Sequence, residues 1–575
     1  MAEVYKGLTG DVLVSAGMVA YLGAFDSRYR GELTTEWVRL CAEKEIPSSG
    51  SYSLAKTLGD AVQIQHWCID GLPADAFSIE NAIVTYKTSR WPLYIDPQGQ
   101  ANKWVKTMYK KTDKGLKVLK FTDDNYLKHL EASIAIGCPV MMENVGVELD
   151  PAIEPLLQKQ ITKRGASQYI KIGDSVIEYN DGFLFFLSTK LRNPHYLPEV
   201  STKVTLLNFM ITYEGLTDQL LGILVAKEEP ELEQKKSDLV REQADIRKQL
   251  ATTENKMLKT LSEVDDILGD DGAIEVLMQA GVLSGEIKKK EEKAAVTEKE
   301  IDDARTGYQP VALKTAGLFF TIQDLANIDP MYQYSLPFFV KLFESAIGQA
   351  EKSDELEERL GFLNAEFLDL LFRQVCISLF EKDKLIFSFM LSIKLLQLAK
   401  ELDPAELQFL LTGGVALGED YGAPPADWIT EKTWGELKRL CHIQSCKTFL
   451  PHFTKNLEVY YQLFAHPQPD QWDFPADAVM LNGFRKLCVM RALRPDKLVP
   501  SVSRFIVEFI GEKYVKPPAF ELANIFLESR ATTPLIFVLS PGSDPLKALL
   551  KFAESKNRRP DPISLGQGQG ERAAK

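Results

Sequence analysis

Between Pro230 and Pro310 the chain has no proline, and its apolar residues fall on a seven-residue beat. Leu232, Leu239, Ile246, Thr253, Thr260 and Ile267 recur at that interval. Leu250, Met257 and Val264 form a second row, four residues on from Ile246, Thr253 and Thr260. Lys, Glu, Asp and Gln crowd the positions between. An a/d seam of this kind specifies a helix whose apolar stripe is too narrow to sink into a broad core. Gly269-Asp270-Asp271-Gly272 interrupts the beat, Gly281 and Gly285 punctuate it further, and it resumes at Ile287, Ala294, Ile301 and Tyr308. Two such arms around a break predict an antiparallel coiled-coil hairpin over residues 229–310. At about 1.5 Å per residue the first arm would reach roughly 50 Å, so it is expected to project from the body. The competing reading is two solvated helices lying flat. A narrow seam favours a partner of equal narrowness, and the adjacent arm is the nearest.

The remainder of the 575 residues must supply the body from which such an arm leaves, and the length suits several domains. Residues 1–228 alternate helical runs with short apolar strands. Trp91–Ile95 precedes Asp96-Pro97-Gln98-Gly99, Pro139–Met142 precedes Glu143-Asn144, and Phe183–Leu187 precedes Ser188-Thr189-Lys190. Strands separated by helices predict a parallel α/β sheet, and sites in such sheets lie beyond the strands' carboxyl ends. All three candidates place their polar residues there. Residues 311–530 read as mostly helical, broken by Gly and Pro clusters at 413–425 and 467–475. A further strand candidate, Pro534–Leu539, precedes Ser540-Pro541-Gly542-Ser543-Asp544-Pro545 and repeats the form of the Trp91 region about 440 residues on, as two tandem modules would.

Both strand–loop–helix strings stand where a phosphate loop of pattern G-x-x-x-x-G-K-[ST] would fall. That pattern needs glycines so that backbone N–H groups can wrap phosphate, Lys at the outer phosphates, and a hydroxyl on the metal. The first string reads Pro97-Gln98-Gly99-Gln100-Ala101-Asn102-Lys103-Trp104 and keeps only Lys103. Pro97 has no N–H, Asn102 replaces a glycine, and Trp104 removes the hydroxyl. After the second strand, Glu143 could hold a metal, but the Asn144 amide cannot serve as a general base. Thr189 stands where a polar sensor would follow the third strand. The later string, Pro541 to Ala548, matches only at Lys547. Lys103, Glu143, Thr189 and Lys547 are therefore degenerate nucleotide-site positions. They either hold a nucleotide without turnover or are relics used in packing, and packing is the simpler reading. No catalytic residue is expected. Gly566-Gln567-Gly568-Gln569-Gly570 lacks the Gly-Lys-Ser/Thr ending and reads as a special turn.

A formal charge of −13 argues against a general nucleic-acid binder. Seven widely spaced cysteines read as reduced thiols rather than a disulfide framework. Cys441, His442 and Cys446 lack the further ligands a closed zinc site needs, so no metal site is expected. The first ten residues lack a secretory pattern, and no run of about 18 apolar residues predicts a membrane span.

The strings Trp91-Pro92-Leu93 through Trp104, Asn193-Pro194-His195-Tyr196-Leu197-Pro198-Glu199, Met331-Tyr332-Gln333-Tyr334-Ser335-Leu336, Leu379-Phe380-Glu381-Lys382-Asp383-Lys384-Leu385, Arg494-Pro495-Asp496, and Ser540-Pro541-Gly542 with Ser564–Gly570 occur in an order that resembles dynein heavy chains, in wording closest to the axonemal type. The resemblance covers nearly the whole chain. It implies AAA+ (P-loop NTPase-like) modules with parallel sheets and a helical lid, plus the projecting hairpin. Residues 1–228 would be the large α/β subdomain of the fifth module and 229–310 the buttress. Residues 311–402 would be the fifth module's helical small subdomain, and 403–575 a truncated sixth module. It implies a fragment of a larger motor that begins near the stalk's return into the ring. The role implied is a non-catalytic ring portion that relays ATP-driven change to the microtubule-binding stalk. ATP and Mg belong to the parent family, and no cofactor is expected on this stretch. The implied partners are the remaining heavy-chain modules, the stalk and, through the parent, microtubules of a ciliary axoneme, with no nucleic acid and no membrane. A free-standing nucleotide-binding AAA+ protein and a coiled-coil scaffold are the alternatives.

Overall fold

The computed structural model describes residues 2–112, 115–165, 167–263, 294–413, 422–475, 477–516, 521–529, 534–539 and 544–563, with single positions at 278, 281, 285, 290, 542 and 570. Val264, Ile267, the Gly269–Gly272 break, Ile287, Ser540-Pro541 and residues 564–569 lie outside this set. The chain divides into two compact units, Met1–Leu370 and Leu371–Lys575.

In the first unit the strands are β1 (Trp91–Ile95), β2 (Lys117–Lys120), β3 (Val140–Glu143), β4 (Thr162–Arg164), β5 (Ser167–Ile172), β6 (Ser175–Glu178), β7 (Phe185–Thr189) and β8 (Val204–Asn208). Five of them form one parallel sheet in the order β2-β3-β7-β1-β8. The expected parallel α/β sheet is present, with β1, β3 and β7 within two residues of their expected positions. Helices on both faces leave these strands no polar side, which is why they read as unbroken apolar runs. Leu93, Val140, Met142, Phe185 and Leu187 point into one core layer. Tyr94, Met141, Phe186 and Leu207 point into the other, with Trp67, Trp104 and Phe209. β4, β5 and β6 make a separate antiparallel sheet. Sequence reading passed over β2 because Lys117-Val118-Leu119-Lys120 is a short edge strand flanked by charge.

Helix Tyr213–Glu228 ends at Glu229, and a second helix, Pro230–Glu263, starts with proline at its first position, where the missing N–H costs nothing. At 34 residues it is about 50 Å long. Ile246 and Thr253 are buried on it, and Ala294, Ile301 and Tyr308 are buried on the returning stretch, all on the seven-residue beat. Polar contacts run between the two stretches: Lys236 Nζ to Asp302 at 3.0 Å, Gln243 Nε2 to Glu298 at 2.9 Å, and Tyr308 Oη to Glu229 at 3.1 Å. Positions 229, 236 and 243 of the outgoing stretch meet 308, 302 and 298 of the returning one, so the stretches run antiparallel. The long helix is not free of the body along its whole length. Gln65 Nε2 donates to the Val240 carbonyl at 3.1 Å, so its lower part rests on helix Ala61–Ile69.

The second unit is helical. Its core gathers Leu437, Leu440, Phe449, Phe453, Tyr460, Phe484 and Leu487 from four successive helices. Glu406 is wholly buried there, paired with Arg485 Nε at 2.7 Å and accepting from Ser445 Oγ at 2.5 Å. The strand expected at Pro534–Leu539 is not one. Those residues form no ladder, and Ile536 is 86% exposed. A strand needs a neighbour, and no β-ladder partner stands beside them among the described residues.

Candidate functional site

The carboxyl ends of β1, β3 and β7 bring Asp96, Glu143 and Thr189 to one edge of the sheet, where the phosphate-loop positions also lie. Asp96 follows β1 directly. Its N–H donates to the Thr189 carbonyl at 2.9 Å, which pins its backbone to β7. The chain then turns through Gly99, which holds φ +77, a left-handed conformation natural to glycine, and enters helix Gln100–Lys110.

The first turn of that helix folds back on Asp96. Oδ1 accepts from the Gln100 amide at 2.7 Å and Oδ2 from the Asn102 amide at 3.0 Å. The Gly99 and Ala101 amides also favour its charged form. Burial works in the opposite sense and is the larger effect, pushing this carboxyl up to about 6.

Ala101, Trp104 and Val105 turn the helix's apolar face into the core. Trp104 is fully buried, stacked on Phe209 and edge-on to Trp67 and Tyr86. The position that carries a metal-binding hydroxyl in a working loop is here an aromatic anchor. Glu143 is held by two residues of the same helix, Lys106 Nζ at 2.5 Å and Asn102 Nδ2 at 3.2 Å. Asn144 is exposed and left-handed, with φ +54, so it turns the chain after β3. Thr189 is buried in the sheet, and its Oγ1 accepts from the Leu191 amide at 3.2 Å. Lys103 is exposed. Glu143 and Thr189 therefore share the sheet edge, while Lys103 faces solvent. Lys547, in the second unit, is exposed too, and its amide donates to Asp544 Oδ1 at 3.2 Å in an ordinary N-cap.

A magnesium-bound triphosphate does not fit the residues of the first loop. Its amides are engaged by Asp96, its hydroxyl position is Trp104, and its base position is an amide. Among the described residues no group of His, Cys, Asp and Glu is arranged to hold a metal ion.

A second constellation sits where the long helix leaves the body. Arg359 is almost fully buried. Its Nε and Nη2 donate to the two Glu228 oxygens at 3.0 and 2.7 Å. Nη1 reaches the Ala350 and Glu351 carbonyls at 2.9 and 2.6 Å, and Nη2 also reaches Ile347 at 3.1 Å. All five guanidinium donors are thus matched, at the carbonyl end of helix Leu336–Gln349. Near the start of the long helix, buried Arg305 lies 3.5 Å from Glu233 and 4.0 Å from Asp218 and Asp302.

Residues 65–287 match the family described as ATP-binding dynein motor region, and residues 530–575 match the Dynein heavy chain region D6 P-loop domain. Over 574 residues the chain is 48% identical to mouse (Mus musculus) dynein axonemal heavy chain 3, covering 99% of this chain and 14% of that protein. The human (Homo sapiens) dynein axonemal heavy chain 3 is 46% identical over 575 residues, with the same coverage. Human dynein axonemal heavy chain 1 is 42% identical over 578 residues, covering 99% of this chain and 13% of that protein. The chain belongs to the axonemal dynein heavy chains. It spans about one seventh of the length of these dynein relatives.

Three features of this dynein sequence escaped sequence reading: the roles of Asp96, Arg305 and Arg359. For Asp96 a signal existed, since an acidic residue just ahead of a Gly-initiated helix is a capping signature. For Arg305 there was a weak one, a charge within the seam. Arg359 gave none, because its partners lie 8 to 131 residues away.

Proposed function

We propose that this stretch is the non-catalytic fifth-module portion of a dynein motor ring with the beginning of the sixth, and that its 229–310 arm is the buttress that relays ring movement to the microtubule-binding stalk. The parent would be an ATP-driven, minus-end-directed microtubule motor of the ciliary axoneme. Ring closure at an ATP-hydrolysing module would move this body, and the arm would shift the stalk helices and so change microtubule affinity. The observation that carries this reading is the arm's root. A lever transmits force only if its base resists rotation. Here the junction residues Glu228 and Glu229 are gripped separately, by Arg359 of the body and Tyr308 of the returning stretch. The antiparallel contacts above the root support a two-helix lever.

The test uses the whole chain and a separately expressed axonemal dynein stalk. Binding that is lost on Ile246→Asp or Ile301→Asp, with the body's circular dichroism unchanged, is expected. No contact between stalk and arm would sink the relay and favour a scaffold working outside a motor. In parallel, the chain with MgATP should show no turnover. Turnover abolished by Lys103→Ala would reject the non-catalytic reading in favour of an independent ATPase.

A further inference from the structure

We propose that the Asp96 carboxylate is a built-in substitute for phosphate, filling the amide cradle at the start of helix Gln100–Lys110 and closing this loop to nucleotides. The proposal deepens the non-catalytic reading of the same loop, yet it stands or falls apart from the relay role of the arm.

The cradle is the part of a phosphate loop that does the binding: successive backbone N–H groups aimed at one point, at the positive end of a helix. In this chain that part survives although the sequence pattern does not. The Gln100 and Asn102 amides meet the two carboxylate oxygens at 2.7 and 3.0 Å. What sits at their focus is an anion tethered to the same chain.

An internal anion has two advantages over a dissolved one. It is delivered at a high effective concentration and loses little freedom on binding. Its backbone is also fixed, by the Asp96 N–H to Thr189 and by the Gly99 N–H returning to the Asp96 carbonyl at 3.3 Å. A phosphate entering beside it would face an unscreened like charge at near-contact distance in a buried site. The same helix neutralises the other anion of the edge, since Lys106 and Asn102 hold Glu143. Both acidic groups that would border a nucleotide are thus consumed internally. Loss of the Gly-Lys-Ser/Thr residues removes the chemistry, and Asp96 removes the vacancy.

The experiment is thermal unfolding of the whole chain and its Asp96→Ala variant in pyrophosphate, against chloride at matched ionic strength. The wild type should melt at the same temperature in both. The variant should melt several degrees lower in chloride and recover with pyrophosphate, saturably, because an external anion replaces the lost carboxylate. If the variant is too unstable to purify, its refolding yield is compared in the same two salts, and recovery specific to pyrophosphate is expected. A variant that is destabilised with no anion-specific recovery in either format would overturn the proposal and leave Asp96 as a helix cap alone. A wild type stabilised by pyrophosphate in a way that Asp96→Ala abolishes would overturn it as well. Neither result bears on whether the arm binds a stalk.

Discussion

Two stretches of this chain carry nearly the same local text, a strand of apolar residues, a Pro-Gly loop with an aspartate, and an amphipathic helix with one lysine at the phosphate-loop position. Around Trp91–Lys110 the text is fully realised. β1 lies between β7 and β8, Asp96 is buried in the turn, and Trp104 anchors the helix in the core. Around Pro534–Ser555 the described residues form a helix with an exposed cap, and the apolar run before it is exposed and joins no ladder. A strand and a phosphate-type loop are properties of a sheet rather than of a string. The loop's geometry follows from neighbours such as Thr189, which fixes Asp96, and the later string has no such neighbour among the described residues.

The sharpest way to break this comparison is at Trp104. Replacing it with Thr restores the hydroxyl of the phosphate-loop pattern but empties the centre of an aromatic cluster. The expected loss is about 3–5 kcal/mol, the range for truncating a buried Trp, read from the denaturant midpoint of the first unit. The matching change in the later string, Ala548→Thr, should leave the midpoint of the second unit where it is. If both were neutral, the first loop would be as unanchored as the second.

Arg359→Ala tests whether the first unit's order extends to the arm. It strands Glu228 and three helix-terminal carbonyls, with an expected cost of about 3–5 kcal/mol for a broken buried pair. Amide exchange should accelerate at residues 228–232 ahead of the sheet. Swapping the charges, Glu228→Arg with Arg359→Glu, should not rescue it, because a carboxylate cannot donate to Ile347, Ala350 and Glu351.

Asp96 offers a pH handle. Its carboxyl is raised from 3.8 to about 6 in the folded chain, so the folded state binds the proton more tightly than the unfolded state. The resulting stability is fully present below about pH 4 and is lost as pH rises through about 6, a swing of up to about 3 kcal/mol. Asp96→Asn should remove that slope from an unfolding series between pH 4 and 7. An unchanged slope would place its origin elsewhere. A smaller effect is expected at the later loop, where Asp544→Ala removes an ordinary cap worth about 1 kcal/mol, measured as fraying of helix Pro545–Ser555.

The pattern of what sequence reading found follows the same division. The parallel sheet was legible because strands buried on both faces write themselves as Trp91–Ile95 or Phe183–Leu187, with no polar alternation to confuse them. The seam was legible because Ile246 and Thr253 on one arm, and Ala294 and Ile301 on the other, each keep the seven-residue interval. Pro534–Leu539 was misread as a strand since composition reports the capacity to pair and says nothing about a partner. At the site, the losses at Asn102, Trp104 and Asn144 could be read residue by residue. Asp96 could be read that way as a cap at most, because its role depends on the Gln100 and Asn102 amides meeting its carboxylate in space. The clamp at Arg359 joins residues up to 131 positions apart and leaves no local trace.

The smallest expected effect is the most discriminating for function. Lys103 is the single phosphate-loop residue that the first string keeps, and Lys547 is its counterpart. Both are exposed at the surface of their helices. If either retained a nucleotide-binding role, Ala substitution would weaken any stabilisation by ATP, and Lys103→Ala would do so more strongly, since its helix is the one joined to a sheet. If the cradle is already filled by Asp96, neither lysine has a phosphate to meet. Then Lys103→Ala and Lys547→Ala should each leave the melting temperature unchanged, with and without MgATP. A difference confined to Lys103→Ala in the presence of ATP would show that the first loop still accepts a nucleotide, and it would mean the contrast between the two strings is one of affinity.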